Sequence, residues 1–139
     1  MKYLITAIAA VLLVGCGESQ QSTTAPEAKP ESATVKVPDI SIHEAARDGN
    51  IEAVKQHLAA GTEVDEKDIY QATALHKAAR KGHKEIAELL IAKGANINEI
   101  NKYGRTPLDV AKMQKHTKTA DLLRKHGGKT AEELKAEGK

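Results

Sequence analysis

Six histidines and a single cysteine are the residues of this 139-residue chain whose side chains could bind a metal or act as strong nucleophiles. His43-Glu44 begins like a zinc-protease helix, which needs a second histidine four positions on to bring both rings to one face. That position is Arg47. His43 and His76 stand 33 residues apart and Asp109 stands another 33 on, so no column of imidazoles repeats through the chain. Gly128-Lys129-Thr130 has the ending of a phosphate-binding loop. The glycine such a loop needs five residues before Gly128 is Leu123, within helical text, and no apolar strand precedes it. Serine, histidine and aspartate all occur, but no strand-to-helix turn carries a serine nucleophile. A lone cysteine excludes an internal disulfide and a thiolate cage. No paired acid and base or activated nucleophile emerges. The expectation is a protein that is not an enzyme, holding no metal and no cofactor.

Cys16 has a different chemistry in view. Met1-Lys2 is a short basic start, and Tyr3 to Val14 is an apolar run. Twelve helical residues reach about 18 Å, against a hydrocarbon core of about 30 Å, which suits a signal peptide better than a membrane span. The run ends in Leu13-Val14-Gly15-Cys16, which resembles the bacterial lipoprotein box. The resemblance implies that residues 1–15 are a signal peptide and that Cys16 takes a diacylglyceryl thioether and becomes the new N-terminus. Gly17 in place of aspartate implies sorting to the outer membrane, facing the periplasm, in a cell with two membranes. The alternative is an unmodified Cys16 thiol in a leader cut elsewhere. Gly17 to Lys36 is Ser, Thr, Gln, Glu, Ala, Lys and Pro with Val35 as its one large apolar residue, a composition that cannot bury enough to order itself. Residues 16–36 are therefore expected to be a lipidated cysteine and a disordered tether with an r.m.s. reach of about 25 Å.

The elements behind these residues recur. At a step of 33, Gly61, Gly94 and Gly127 coincide, as do Ile42, Leu75 and Leu108, Gly49 and Gly82, and Tyr70 and Tyr103. A helical unit repeating at such a period cannot bury its apolar face alone and must stack on its copies. The spacing predicts helices over Ser41–Asp48, Ile51 to Gly61, Thr73–Lys81, Lys84–Lys93, Thr106–Gln114 and Thr117–His126. Asn50 caps the second of them, and the capping-box pattern Thr130-Ala131-Glu132-Glu133 opens a last one to about Glu137. The expected inward residues are Ile51, Val54, Leu58 and Ala59 in the first copy, and Leu75, Ile86, Leu89, Leu90, Leu108, Leu122 and Leu123 after it. With no Trp or Phe, the core must be made of Ala, Leu, Ile and Val.

Thr73-Ala74-Leu75-His76 with Ala78-Ala79-Arg80-Lys81-Gly82-His83, Thr106-Pro107-Leu108 with Ala111, and Leu89-Leu90-Ile91-Ala92-Lys93-Gly94-Ala95-Asn96-Ile97-Asn98 resemble the ankyrin repeat. The likeness covers about Ser41 to Gly128. It implies an all-α ankyrin solenoid of three helix-turn-helix repeats with short hairpin arms and a C-terminal capping helix. The expected domain is 37–128, with repeats at about 37–67, 68–100 and 101–128, and a capping helix and tail at 129–139. The likeness also makes His76 structural, bonded to Thr73. Three departures stand out. Gln71 and Lys115 occupy glycine positions, and Ala74 replaces the helix-starting proline. A left-handed backbone at Gln71 would cost about 1 kcal/mol.

Without residues 1–15 the chain is nearly neutral at about +1, yet Cys16–Ile69 carries about −6 and Tyr70–Lys139 about +7. Nucleic-acid binding, which wants a basic face with aromatic platforms, is not expected. Lys112, Lys115, Lys118, Arg124, Lys125 and Lys129 either lie against anionic lipid or form a solvated face. Tyr70 and Tyr103 fall on equivalent hairpin tips about one stacking distance, about 10 Å, apart. They either anchor a partner, as aromatics do at binding hot spots, or pack on one another. The candidate protein-binding residues are Ile69, Tyr70, Ala72, Lys102, Tyr103 and Arg105 at the tips, with Arg47, Asp48, Arg80 and Lys81 on the inner helices. Two functions fit. One is a monomeric, membrane-anchored module, held by lipid on Cys16, that binds a protein partner outside the cytoplasm. The other is a structural or stress-related envelope protein without one specific ligand.

Overall fold

A computed structural model describes residues 37–138, so the expected signal peptide, Cys16 and the expected tether lie outside the described residues. Seven helices follow in order: α1 Ile42–Asp48, α2 Ile51–Ala59, α3 Ala74–Lys81, α4 Lys84–Ala92, α5 Pro107–Met113, α6 Thr117–Lys125 and α7 Ala131–Ala136. Among the described residues there is no strand, and no helix is long and apolar enough to cross a membrane.

Five of the seven helices begin at a serine, threonine or asparagine, whereas α4 and α6 begin at His83 and His116 without a side-chain cap. Ser41, Thr73, Thr106 and Thr130 close capping boxes with Glu44, His76, Asp109 and Glu133. Asn50 accepts from the Ala53 amide at 3.0 Å and opens α2. The helices then stack in two rows, α1 on α3 on α5 and α2 on α4 on α6. Alanine makes the close approach possible. Ala45, Ala46, Ala78, Ala79 and Ala111 are fully buried, and Ile42, Leu75 and Leu108 form a sealed column through the first row. Val54, Ala87 and Ala120 hold the matching place in the second row.

Two apolar assignments need correction. Leu89 is only half-buried, whereas Leu90 beside it is sealed, so the stripe runs through Ile86, Ala87 and Leu90. In α2 the inward residues are Ala53, Val54 and His57, while Ile51 and Leu58 are half-buried and Ala59 is exposed. The reason is position. Ile91 and Ala92, the equivalents of Leu58 and Ala59 in the middle copy, are likewise half-buried and exposed, so this side of the second-row helices faces away from the stack in both copies. His57 occupies the place held by Leu90 and Leu123 in the later copies. It is buried because its ring bonds the Ile40 carbonyl (2.6 Å) and the Thr62 hydroxyl (3.3 Å).

A second histidine device joins the copies. His83 donates from Nε2 to the Arg47 carbonyl (3.0 Å), and His116 donates to that of Arg80 (3.1 Å). Each ring lies flush on a left-handed glycine of the copy before it. A Cβ on Gly49 would come within 2.8 Å of His83, and one on Gly82 within 2.6 Å of His116. Lys115, the third residue at this position, is also left-handed at φ 62°, but no further copy lays a ring upon it. Steric freedom explains how a side chain is tolerated there and nowhere else in the series.

α7 closes the stack through polar contacts. The Ala131 amide donates to Asp109 (2.9 Å), the Thr106 hydroxyl to the Lys129 carbonyl (2.7 Å), and Arg124 pairs with Glu133 (2.8 Å). The Arg124 hydrogen bond, with those of Thr130, lowers the Glu133 carboxyl to about 2. Leu134 and Ala131 turn inward.

Candidate protein-binding groove

The two hairpin tips are built alike. Asp68 accepts from the Tyr70 and Ala72 amides (2.8 and 2.9 Å), and Asn101 accepts from those of Tyr103 and Arg105 (2.9 and 3.2 Å). Short acceptor side chains at the turn's first position fold the backbone back on itself. Gln71 and Gly104 complete the turns in left-handed conformations, φ 55° and 72°. Burial would raise the Asp68 carboxyl, but Lys77 and the two turn amides outweigh it and hold it below its usual value.

The Lys102 amide donates to the Tyr70 carbonyl at 3.0 Å and draws the tips together. The tyrosine rings stack with centroids 6.3 Å apart and planes inclined by 22°, closer than the helix spacing suggested. Lys102 Nζ lies 4.1 Å from the Tyr70 centroid and 5.5 Å from that of Tyr103, and the Arg105 guanidinium is 6.0 Å from Tyr103. Packing does not conceal the rings, for Tyr70 remains 40% and Tyr103 58% exposed.

Behind the rings lies a groove of about 460 Å³ between the tips and helices α3 and α5. Of the residues marked by the sequence, it gathers Tyr70, Ala72, Arg80, Tyr103 and Arg105. Ile69 and Lys102 sit on the tips outside its lining, with Ile69 83% exposed. Arg47, Asp48 and Lys81 are also outside it. Arg47 bonds its neighbour Asp48 at 2.7 Å, which draws the Asp48 carboxyl below its usual value. The groove adds Lys77, Val110, Met113 and Gln114, which the sequence reading passed over. The signal was present in the repeat itself. Met113 stands 33 residues after Arg80, and Val110 stands 33 after Lys77.

Five of the six histidines are fastened to the scaffold by ring hydrogen bonds. His76 receives the Thr73 amide on Nδ1 (3.2 Å) and donates from Nε2 to the Arg105 carbonyl (3.1 Å), so it holds the base of one tip. His43 donates to the Glu66 carbonyl (2.8 Å). Among the described residues no three His, Cys, Asp or Glu side chains gather for a metal.

Burial holds the His76 imidazole below its ordinary 6.5, outweighing the upward pull of the Arg105 carbonyl. The unfolded chain therefore takes up this proton first. The expected contribution is flat above pH 6.5, falls as pH drops toward the depressed folded value, and levels off below it. Denaturant midpoints from about pH 8 to about pH 5 should decline more steeply for wild type than for His76→Gln.

Comparison with known proteins bears on this arrangement. The family model for ankyrin repeats in three copies matches residues 42–133. The chain belongs to the ankyrin-repeat family. Among solved structures the chain is similar to the human ASB11 ankyrin repeat domain, at 32% identity and a TM-score of 0.62. The match covers 65% of this chain and 41% of that one. No curated protein matches the chain. Ankyrin repeats generally mediate protein–protein interaction, and the all-helical array described above is such a solenoid.

Proposed function

We propose that this ankyrin domain holds a protein partner in the Tyr70–Tyr103 groove, and that Cys16 anchors it by lipid on the extracytoplasmic side of a bacterial membrane. The supporting observation is the stacked tyrosine pair, which stays 40% and 58% exposed while the core of the described residues holds no Tyr, Trp or Phe. Rigid amphipathic rings with cations on their faces supply contact area at small entropic cost. The lipoprotein-like run ending at Cys16 supports the anchor, and Gly17 supports the outer membrane, facing the periplasm.

The test is capture of a stoichiometric partner by the full-length chain, followed by affinity measurement. Tyr70→Ala with Tyr103→Ala is expected to weaken partner binding by at least about 2 kcal/mol. The melting temperature should fall less than for a core substitution, since the rings lie at the hairpin tips outside the helical core. Retained affinity with a lowered melting temperature would assign the tyrosines to packing alone. Diffuse association without a stoichiometric partner would favour a structural envelope role. In the same cells Cys16→Ser should accumulate as unprocessed precursor without lipid label, and normal labelling would remove the anchor from the proposal.

A further inference from the structure

The lining of the groove is one-sided in charge. It holds Lys77, Arg80 and Arg105 and no carboxylate. Lys77 is matched by Asp68 just outside. Among the described residues Arg80, Arg105 and Lys102 have no carboxylate within ion-pair distance, although six ion pairs of lysine or arginine occur outside the groove. Lys102 and Arg105 lie instead on the tyrosine faces, with their outer sides open to an incoming anion. Between these cations the floor turns apolar. Met113 is 52% exposed and Val110 is half-buried beside it.

We infer that the groove takes an extended acidic polypeptide segment, with carboxylates on either side of one large apolar side chain. The carboxylates meet Arg80 at the helix side and Arg105 with Lys102 at the tip side, and the apolar side chain rests on Met113, Val110 and the tyrosine rings. This inference rests on the protein-binding reading above and specifies the chemistry of the bound segment. Guanidinium groups favour carboxylates through paired parallel hydrogen bonds, and methionine adapts its shape to different apolar side chains. A bilayer fits less well than a peptide, because the cations line a recess between turns and helices.

The test uses the full-length chain in neutral detergent and fluorescein-labelled peptides read by polarisation. The peptides are Asp-Glu-Leu-Asp-Glu, the same with Ser for Leu, the neutral Asn-Gln-Leu-Asn-Gln and the basic Lys-Lys-Leu-Lys-Lys. The acidic leucine peptide is expected to bind at least about tenfold tighter than each of the others and to weaken as salt rises. Arg80→Gln with Arg105→Gln should reduce it to the level of the neutral peptide with an unchanged circular dichroism spectrum. Equal binding of the neutral or basic peptide would overturn the inference. If that binding were still lost in Tyr103→Ala, the groove would remain a protein-binding site with a different preference. Acidic binding that survives both the arginine and the tyrosine substitutions would place the contact elsewhere and overturn it too. Arginine-dependent binding to phosphatidylglycerol vesicles, without peptide binding, would assign the cations to a lipid surface instead.

Discussion

Leu90→Ala is expected to lower stability by about 2–5 kcal/mol, the range for emptying a sealed leucine site. Leu90 is 0% exposed and lies in the middle copy, with α2 stacked on one side of its helix and α6 on the other. Neither neighbour can collapse into the gap without losing its own register. Small domains have only about 5–15 kcal/mol in total, so loss of this one side chain could remove a large share of the folded population. The half-buried Leu89 is the internal control. Urea midpoints for Leu89→Ala and Leu90→Ala should differ clearly, with Leu90 the costlier. Equal losses would mean that the buried stripe of α4 is wider than described.

Gly82→Ala is the second large effect, expected at about 2–3 kcal/mol. The left-handed backbone accounts for about 1–2 of this. The rest comes from the His116 ring, which a Cβ would meet at 2.6 Å. Moving the ring breaks its bond to the Arg80 carbonyl, worth about 1 kcal/mol. The reverse change at the equivalent third position should have the opposite sign. Lys115→Gly relieves a left-handed residue on which no ring lies and is expected to gain about 1 kcal/mol. Gln71→Gly should gain a similar amount, since Gln71 too is exposed and left-handed. Thermal melts of the three variants check the set, and a stabilising Gly82→Ala would contradict the steric account.

Much of the fold was legible because the repeat writes the same instruction several times. Threonine at the cap recurs in Thr73 and Thr106, and leucine or isoleucine just inside the helix recurs in Ile42, Leu75 and Leu108, a pattern that a helix cannot satisfy in two phases. What failed was the width of the buried stripe on the second-row helices, at Leu89 in the middle copy as at Leu58 and Ala59 in the first. All three follow helical spacing, which marks the centre of an apolar stripe and not its edge. His57 escaped notice because a polar residue at a leucine position reads as a break, and its partners, Ile40 and Thr62, lie outside the periodic pattern. The groove was half legible. Tyr70, Tyr103, Arg80 and Arg105 announce themselves by type, whereas Met113 and Val110 look like core residues until the structure leaves them facing the recess.

The imidazole that each copy lays on the glycine before it gives the array a direction of growth. A new helical pair can seat only where the previous copy offers a position with no side chain. Gly49 and Gly82 each lie under a ring of the next unit, and Lys115 carries a side chain where such a ring would lie. In the language of polymers, the lysine is a terminator carried on the last monomer, and α7 takes the end that it leaves free. A fourth copy grafted behind residue 125 is therefore expected to dock more tightly with Lys115→Gly than with Lys115 in place.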